Sequence, residues 1–390
     1  MMNKIKMLFF SVMAQLMSAV ITPNPNVWIF SSTQNVHFNY NSRYLFEHLL
    51  NKHTEKQIYF VINDSNLRAN LTGKYGPHFI NTQSISGIVT ALRGGVWITS
   101  AGLPIYLLFG SSRRILVNLW HGVPLKKIVL KENNLNSIKR IFTKLVFSRK
   151  YTWVVTTSSK LIRIYADSFG VDASKIKVLG QPRNDVLFQY KQGTLASAFN
   201  SEQFDSMTKI LYAPTYRDWK ETILFPFPDF DLGRLETFLT KNNAVIFIRF
   251  HLQNQNDTQI KETEHIRFIN EDKCEDIMTV LSQFDMLITD YSSIYIDYLL
   301  LNKPIIFLPY DISDYRSKRG FNFDYNAVTP GYHVSDSMVN LMRIIKKYIA
   351  NPRTHQNDRI KVNQYFNEIT DHSSELIVRN LENKLQSMQE

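Results

Sequence analysis

Short runs of consecutive apolar residues alternate along this chain with longer segments in which apolar positions recur every three or four residues. Residues 27–30 (VWIF), 57–62 (QIYFVI), 96–99 (VWIT) and 114–119 (RILVNL) read as strands, and the segments 44–50 and 85–92 between them read as helices. Such alternation predicts a parallel sheet with helices on both faces. The rhythm continues through a strand at 151–155, a helix at 158–169 and a strand at 176–179. It halts at Gly180-Gln-Pro-Arg-Asn-Asp185, where Gly, Pro, Asn and Asp mark a crossing to a second unit. It then restarts with strands at 209–213 (KILYA) and 244–249 (AVIFIR), and closes with helices around 336–349, 359–366 and 373–385.

Residues 287–308 (LITDYSSIYIDYLLLNKPIIFL) give the pattern its centre. An apolar run ends in Thr289, Asp290, Ser292 and Ser293, apolar residues resume at helical spacing, and Lys303-Pro304 starts another β-rich run. In such a unit the turn lies at the carboxyl end of a parallel strand, and the helix after it begins with unpaired N–H groups and partial positive charge. That arrangement suits a phosphate; a serine that merely caps the helix is the alternative. The strands at 209–213 and 244–249 end in Thr215 with Arg217 and in His251, so three strands bring chemistry to one sheet edge, where open α/β sheets bind ligands. In the first half, Gly122 and Pro124 stop strand 114–119 and place His121 at its carboxyl end. Arg316, Lys318 and Arg319 are expected in a Gly-containing loop, where a guanidinium can fork onto a phosphate.

Length and charge narrow the function. With 390 residues two domains are expected, with a cleft between them. The 45 Lys+Arg against 34 Asp+Glu leave +11, which points to a polyanionic partner. One cysteine, Cys274, excludes an internal disulfide and any metal site built on cysteines. Residues 7–21 are apolar behind Lys4 and Lys6, but the stretch holds Gln15 and Ser18, has no small-x-small cleavage site and falls short of the roughly 20 residues that span a bilayer. It reads as a membrane-surface or packing helix. Further on, Ile138, Ile141, Phe142, Leu145 and Val146 share a helical stripe bordered by Lys139, Arg140, Lys144, Arg149 and Lys150. Such a helix lies in an anionic membrane surface or covers a core with one solvated face.

In order along the chain, NLWHGVPLKKI, GQPRND, LYAPTYRD, FIRFHL, LITDYSSIYIDYLLLNKPIIF and RGFNFDY resemble the CDP-glycerol glycerophosphotransferase family, which comprises teichoic acid primases and polymerases and related capsule enzymes. The resemblance runs from about Val27 to the end. It implies an α/β fold of the glycosyltransferase-B kind, two Rossmann-like lobes facing a central cleft. Residues 1–185 would form an acceptor- and membrane-facing domain and residues 186–390 a CDP-donor domain, with the last helices able to pack back on the first. It implies transfer of glycerol phosphate from CDP-glycerol to a hydroxyl of a lipid-linked or capsular polysaccharide acceptor, with release of CMP, at the cytoplasmic face of the cell membrane by a peripheral protein. Mapped onto this sequence, the catalytic histidines are His121 and His251. The substrate-binding set is Gln181, Arg183, Thr215, Arg217, Asp290, Ser292, Ser293, Arg319 and Gly320. No metal and no cofactor beyond the CDP-activated polyol are implied. An imidazole suits removal of a hydroxyl proton near neutral pH, so His121 is the expected general base. Hydrogen-bond donors such as His251, Arg217, Arg319, Ser292 and Ser293 would stabilise the charge of phosphoryl transfer. Leu252 stands where the family often has proline, and Asp371-His372-Ser373-Ser374 where it commonly has Asp-Gly.

Ribitol in place of glycerol is an alternative donor. A glycosyltransferase of the same architecture would release a nucleoside diphosphate instead of CMP. A basic membrane- or nucleic-acid-binding protein is the non-enzymatic alternative, but no nucleic-acid module with interleaved aromatics appears, so no nucleic acid is expected.

Overall fold

The continuous apolar runs become parallel strands because both faces of each sheet are covered. The computed structural model describes residues 2–52, 55–107, 114–133, 135–189, 194–199, 202–217, 219–249 and 260–388. The first sheet contains β1 (Asn24–Ser31), β2 (Gln57–Val61), β3 (Phe79–Ile80), β4 (Gly94–Thr99), β5 (Ile115–Asn118), β6 (Trp153–Thr156) and β7 (Ile176–Val178). Its order is β3-β2-β1-β4-β5-β6-β7, and every neighbouring pair is parallel. The second contains β8 (Thr208–Ala213), β9 (Ala244–Ile248), β10 (Ile266–Phe268), β11 (Met286–Thr289), β12 (Ile305–Phe307) and β13 (Tyr332–His333). It is parallel throughout, in the order β10-β9-β8-β11-β12-β13. Strands β4, β5, β9, β11 and β12 are buried at every position, which is why they read as unbroken apolar runs rather than as alternation. The strand order reverses at β1/β4 and at β8/β11, and both reversals open a place for a ligand at the carboxyl edge.

The chain forms two compact units, each built around one sheet: Met1–Gly122, Ile128–Asp185 and Glu368–Glu390 make the first, and Val123–Lys127 with Val186–Asn367 make the second. The helix Ser373–Gln386 thus belongs to the first unit, where Ile377 and Leu381 join the core of Trp28, Phe30, Phe46 and Phe60. Its placement depends on the crossing loop. Both oxygens of Asp185 accept from the first helical N–H groups, Ser373 N at 2.8 Å and Ser374 N at 2.9 Å, so a residue far away in sequence acts as the cap. Gly180 (φ +79°) has to be glycine here, since a Cβ would lie 2.2 Å from the Ser373 hydroxyl. The unusual Asp371–Ser374 stretch is therefore a helix start held against the crossing loop. In the second unit, helices Leu232–Lys241 and Met338–Ala350 bury Leu235, Leu239, Met338, Leu341 and Ile345 against the sheet.

One expectation differs from the structure. Residues 312–318, read as part of a loop, form the helix Ile312–Lys318, whose Tyr315 is buried and stacks on Tyr291 at 4.0 Å. Tertiary aromatic packing outweighs the weak local signal of a seven-residue segment. The amphipathic segment at 138–146 is the helix Ser137–Thr143 followed by a π-helical turn, Lys144–Ser148. Its first seven residues bury no side chain, and Ile138 and Ile141 are 81% and 58% exposed, whereas Val146 in the turn that follows is buried.

Replacing Asp185 by Ala removes both cap bonds and is expected to destabilise the first unit by about 1 kcal/mol, or about 2–4 °C in the unfolding midpoint. Thermal unfolding followed by circular dichroism measures this. An unchanged midpoint would show that the helix Ser373–Gln386 is held by its apolar face alone.

Candidate active site

At the carboxyl edge of the first sheet, the turn after β5 carries His121. Trp120 adopts φ +53° and Gly122 φ +147°, so the chain doubles back sharply around the histidine. The turn is held by a neighbour from the other side of the strand-order reversal. Asn41 is fully buried; its amide nitrogen donates to Trp120 O (2.9 Å), Leu119 O (3.3 Å) and Gln181 Oε1 (3.4 Å), and its amide oxygen accepts from Arg183 N (3.1 Å). Arg183 Nη1 donates to His121 O at 2.8 Å. Gln181 and Arg183, expected on substrate, thus have side-chain bonds to the scaffold of the histidine turn. The imidazole is fixed as well. Its Nδ1–H donates to Ser100 O at 2.9 Å, so the neutral ring carries its lone pair on Nε2. Tyr40, also at positive φ (+61°), stacks on the ring at 4.8 Å, and the Trp120 indole lies 3.9 Å from it.

A cavity of about 250 Å3 opens beside this histidine, within the first unit. Its walls are the rings of Tyr106, Trp120, Phe147, Tyr151 and Phe169, with Asn118, Ser100 and Thr143 supplying polar edges. Burial pushes the phenols of Tyr106 and Tyr151 up, so both are neutral donors at physiological pH. Thr143 and Phe147 come from the exposed amphipathic helix and its π-helical turn, which outside the cavity present Ile138, Ile141, Phe142 and Leu145 among exposed Lys139, Arg140 and Lys144. The N-terminal helix Met2–Met17 packs against the helix Ile85–Arg93 and exposes Val12 and Leu16. No helix among the described residues is long and apolar enough to cross a membrane.

In the second unit the neighbouring strands β9, β8 and β11 bring their ends to one edge. His251 and Leu252 lie outside the described residues. At the β8/β11 reversal, Asp290 Oδ1 accepts from Thr215 N (2.8 Å) and Tyr291 N (2.6 Å), and Oδ2 accepts from Arg217 Nη2 (2.9 Å). Arg217 also donates twice to Asp311 (Nε 2.8 Å, Nη2 2.9 Å) and from Nη1 to Thr215 O (2.7 Å), while its side chain is fully buried. Lys220 Nζ completes the cluster 2.9 Å from Asp311. The rings of Tyr310 and Tyr291 lie 4.8 and 5.5 Å from the guanidinium. Arg217, expected on a phosphate, is here a brace that fixes two carboxylates and the turn that begins with Asp290. Burial would pull its pKa down, but Asp311 and Asp290 more than reverse that. Burial would raise the Asp311 carboxyl, yet hydrogen bonds from Arg217 and Lys220 hold it at about 2.

Ser292 and Ser293 are half-buried at the start of the short helix Ile294–Tyr298. The Ser293 hydroxyl makes no capping hydrogen bond to this helix, while Ser292 Oγ accepts from Ile294 N at a long 3.4 Å. Arg319 ends the helix Ile312–Lys318, and Gly320 (φ +69°) accepts from Lys127 N at 3.2 Å. Among the described residues no group of three or more His, Cys, Asp or Glu could hold a metal ion.

Tyr40, Asn41, Ser100 and Asp311 escaped the sequence reading. Asn41 and Asp311 do lie beyond the carboxyl ends of β1 and β12, the rule that found His121 and Asp290, but each stands several residues past its strand. Ser100 acts through its carbonyl, for which no residue type is diagnostic.

Over residues 13–383 the sequence matches the family described as CDP-Glycerol:Poly(glycerophosphate) glycerophosphotransferase. It is 26% identical over 370 residues to the teichoic acid ribitol-phosphate polymerase TarL of Staphylococcus aureus, an alignment covering 90% of this chain and 64% of TarL. To the teichoic acid poly(glycerol phosphate) polymerase of Bacillus subtilis it is 28% identical over 338 residues, covering 83% of this chain and 44% of that one. The chain thus spans about half the length of these curated relatives. The solved structure of the wall teichoic acid polymerase TagF superposes with a TM-score of 0.79 at 20% identity, over 99% of this chain and 94% of that one, which shows the glycosyltransferase-B-like fold.

The depressed Asp311 pKa has a defined consequence for stability. Its contribution, on the order of 2 kcal/mol, is fully present above about pH 4, where an unfolded aspartate is ionised, and is lost as pH falls through about 2. Urea midpoints measured across this range are expected to fall toward acid in the native protein. In Asp311→Asn the acid limb is expected to be shallower and the protein less stable at neutral pH. Superimposable pH profiles would place the carboxylate outside the ion cluster.

Proposed function

The chain belongs to the CDP-glycerol:poly(glycerophosphate) glycerophosphotransferase family, and from this premise we propose that it moves glycerol phosphate from CDP-glycerol to a hydroxyl of a lipid-linked or capsular acceptor, in teichoic acid or capsule polymer synthesis. The observation that carries the reading is the fixed tautomer of His121, with Nδ1–H held by Ser100 O and Nε2 left as the basic nitrogen. The acceptor oxygen attacks the phosphorus that bears glycerol, its proton passes to His121 Nε2, and the bond from that phosphorus to the bridging oxygen breaks. CMP leaves and a phosphodiester remains. Ser292, Ser293, Arg319 and Gly320 are the second unit's candidates for the donor phosphates, and His251 for the charge that develops on them. Asp290 and Arg217 hold the turn that carries the serines, with Thr215 tied to the same network. Gln181 and Arg183 hold the turn that carries the base.

Ribitol phosphate is the second reading of the donor, favoured by the likeness to TarL, which is a ribitol-phosphate polymerase. Incubation with CDP-glycerol, CDP-ribitol and sugar nucleotides in the presence of a lipid-phosphate acceptor distinguishes them by the nucleotide released. CMP from a CDP-polyol supports the proposal, and a nucleoside diphosphate from a sugar nucleotide overturns it. His121→Ala is expected to lower CMP release by about a hundredfold or more. Full activity in that variant would remove the base role from His121.

The protein works as a peripheral enzyme on an anionic membrane surface at the cytoplasmic face, where nucleotide-activated polyols are available. Support comes from the helix Ser137–Thr143 and its π-helical turn, with apolar side chains exposed beside Lys139, Arg140 and Lys144. Sedimentation with vesicles containing anionic lipid is expected to exceed that with neutral vesicles and to fall with added salt, since exposed charges are screened over about 8–10 Å. Equal binding to both vesicle types at all salt concentrations would remove the cationic contribution.

A further inference from the structure

We propose that Tyr40 is a positioning residue for the transfer, whose ring face holds the His121 imidazole and stabilises it once it has taken the proton of the attacking hydroxyl. The proposal rests on the transfer reaction above, with His121 as its base, and adds a residue that acts only through that base. Tyr40 opens the helix Tyr40–Asn51, and the first three residues of this helix each reach a different part of the histidine turn. The Tyr40 ring stacks on the imidazole, with centroids 4.8 Å apart and planes 23° from parallel. Asn41 holds the backbone at Leu119 and Trp120. Ser42, fully buried, gives its N–H to Ser100 Oγ at 2.8 Å and shares a second hydrogen bond between the two hydroxyls at 2.8 Å, so it fixes the residue whose carbonyl receives His121 Nδ1–H.

Backbone strain marks the ring contact as more than packing. Tyr40 adopts φ +61°, in the left-handed region that a bulky residue enters only at a cost. The strain does not serve a helix cap, because Asn39, the residue before it, gives the helix no capping side chain. Trp120, whose indole lies 3.9 Å from the same imidazole, sits at φ +53°. Two bulky residues held in one sparsely populated region thus converge on one side chain.

The contact strengthens as the reaction proceeds. Beside a neutral imidazole an aromatic face contributes packing, but beside an imidazolium it meets a cation within the distance of about 6 Å over which ring quadrupoles attract cations. The Nδ1–H bond to Ser100 O becomes charge-assisted at the same moment. Contacts that are stronger in the transition state than in the ground state raise kcat rather than lower KM. Further titratable groups around His121 include Tyr106 and Tyr151, which line the same cavity, and Arg183, which donates to His121 O. Burial pushes both phenols up and a guanidinium stays charged, so none of these changes charge near neutral pH.

The experiment uses the full chain, the CDP-polyol that it consumes and the lipid-phosphate acceptor, and compares Tyr40→Phe, Tyr40→Leu and Tyr40→Gly by CMP release. Tyr40→Phe keeps the ring and is expected to stay within about twofold of the native kcat. Tyr40→Leu has no π face and is expected to lose about tenfold or more in kcat, with KM for the CDP-polyol changed by less than about twofold. Without the ring the protonated imidazole is less stable, so the acid limb of kcat/KM in Tyr40→Leu is expected to move down by about 0.5–1 in pH. Glycine adopts positive φ without strain, so Tyr40→Gly is expected to fold and to show the same loss in kcat. An unchanged kcat in the Leu or Gly variant, an unmoved acid limb, or a loss in Tyr40→Phe equal to that in Tyr40→Leu overturns the proposal and leaves the transfer reaction standing. Full activity in His121→Ala removes the base on which the proposal rests, and no CMP release from either CDP-polyol by the native protein overturns the transfer reaction itself.

Discussion

Parallel sheets end in turns that have no ladder partner, and the carboxyl edge of each unit here is held by one buried polar side chain placed across the point where the strand order reverses. In the first unit Asn41 binds the backbone after β5 and the loop after β7 at once. In the second, Asp290 binds the N–H groups of Thr215 after β8 and of Tyr291 after β11. Both are almost fully buried. Losing either would leave several buried backbone groups unsatisfied, at about 1–3 kcal/mol for each. The positions of His121 and of Ser292 and Ser293 follow from these two brackets more than from their own local sequence. Positive φ at Tyr40 and Trp120 is tolerated for the same reason, because the surrounding hydrogen bonds over-determine the turn.

The distribution of cations qualifies what the net charge of +11 means. Several arginines are interior braces, Arg183 among them. Arg217 joins Asp290 to Asp311, Arg359 donates to Asn302 O, Thr354 O and Pro352 O, and Arg114 donates to Gly94 O and Leu92 O. A guanidinium in such a place binds backbone carbonyls in a fixed fork and is not offered to a ligand. Breaking the Arg217 cluster by removing the arginine would strand two buried carboxylates, an effect of about 3–5 kcal/mol. The exposed cations include Lys139, Arg140 and Lys144 on the amphipathic helix, of which Lys139 pairs with Glu132 at 3.3 Å. Net charge therefore overstates the basic surface, because part of it is spent inside the fold.

Much of the fold was legible because two buried sheets leave a strong trace: β1, β2, β4 to β9, β11 and β12 all coincide with apolar runs. The strands that left no trace, β3, β10 and β13, have two or three residues and lie on or beside a sheet edge, where packing on one side suffices. The site was legible at the level of which residues gather at which edge, since strand ends are fixed by the same runs. It was not legible at the level of what each polar group does there. Arg217, Gln181 and Arg183 have the chemistry of ligands for a phosphate and the geometry of braces, and only their partners, which arrive from residues tens of positions away, distinguish the two.

That distinction also separates the chemistry of the two units. In the second, a neutralised cluster of Arg217, Lys220, Asp290 and Asp311 fixes a turn whose serine hydroxyls and following Arg319 suit phosphate oxygens. In the first, His121 sits beside aromatic rings and the polar side chains of Asn118 and Thr143, with its Nδ1–H committed to the Ser100 carbonyl. The family's reaction needs both an anion site and a proton acceptor. In this chain the turn that carries His121 and the turn that carries Ser292 and Ser293 end different sheets, each set by its own buried bracket, so a substitution that disturbs one bracket need not disturb the other.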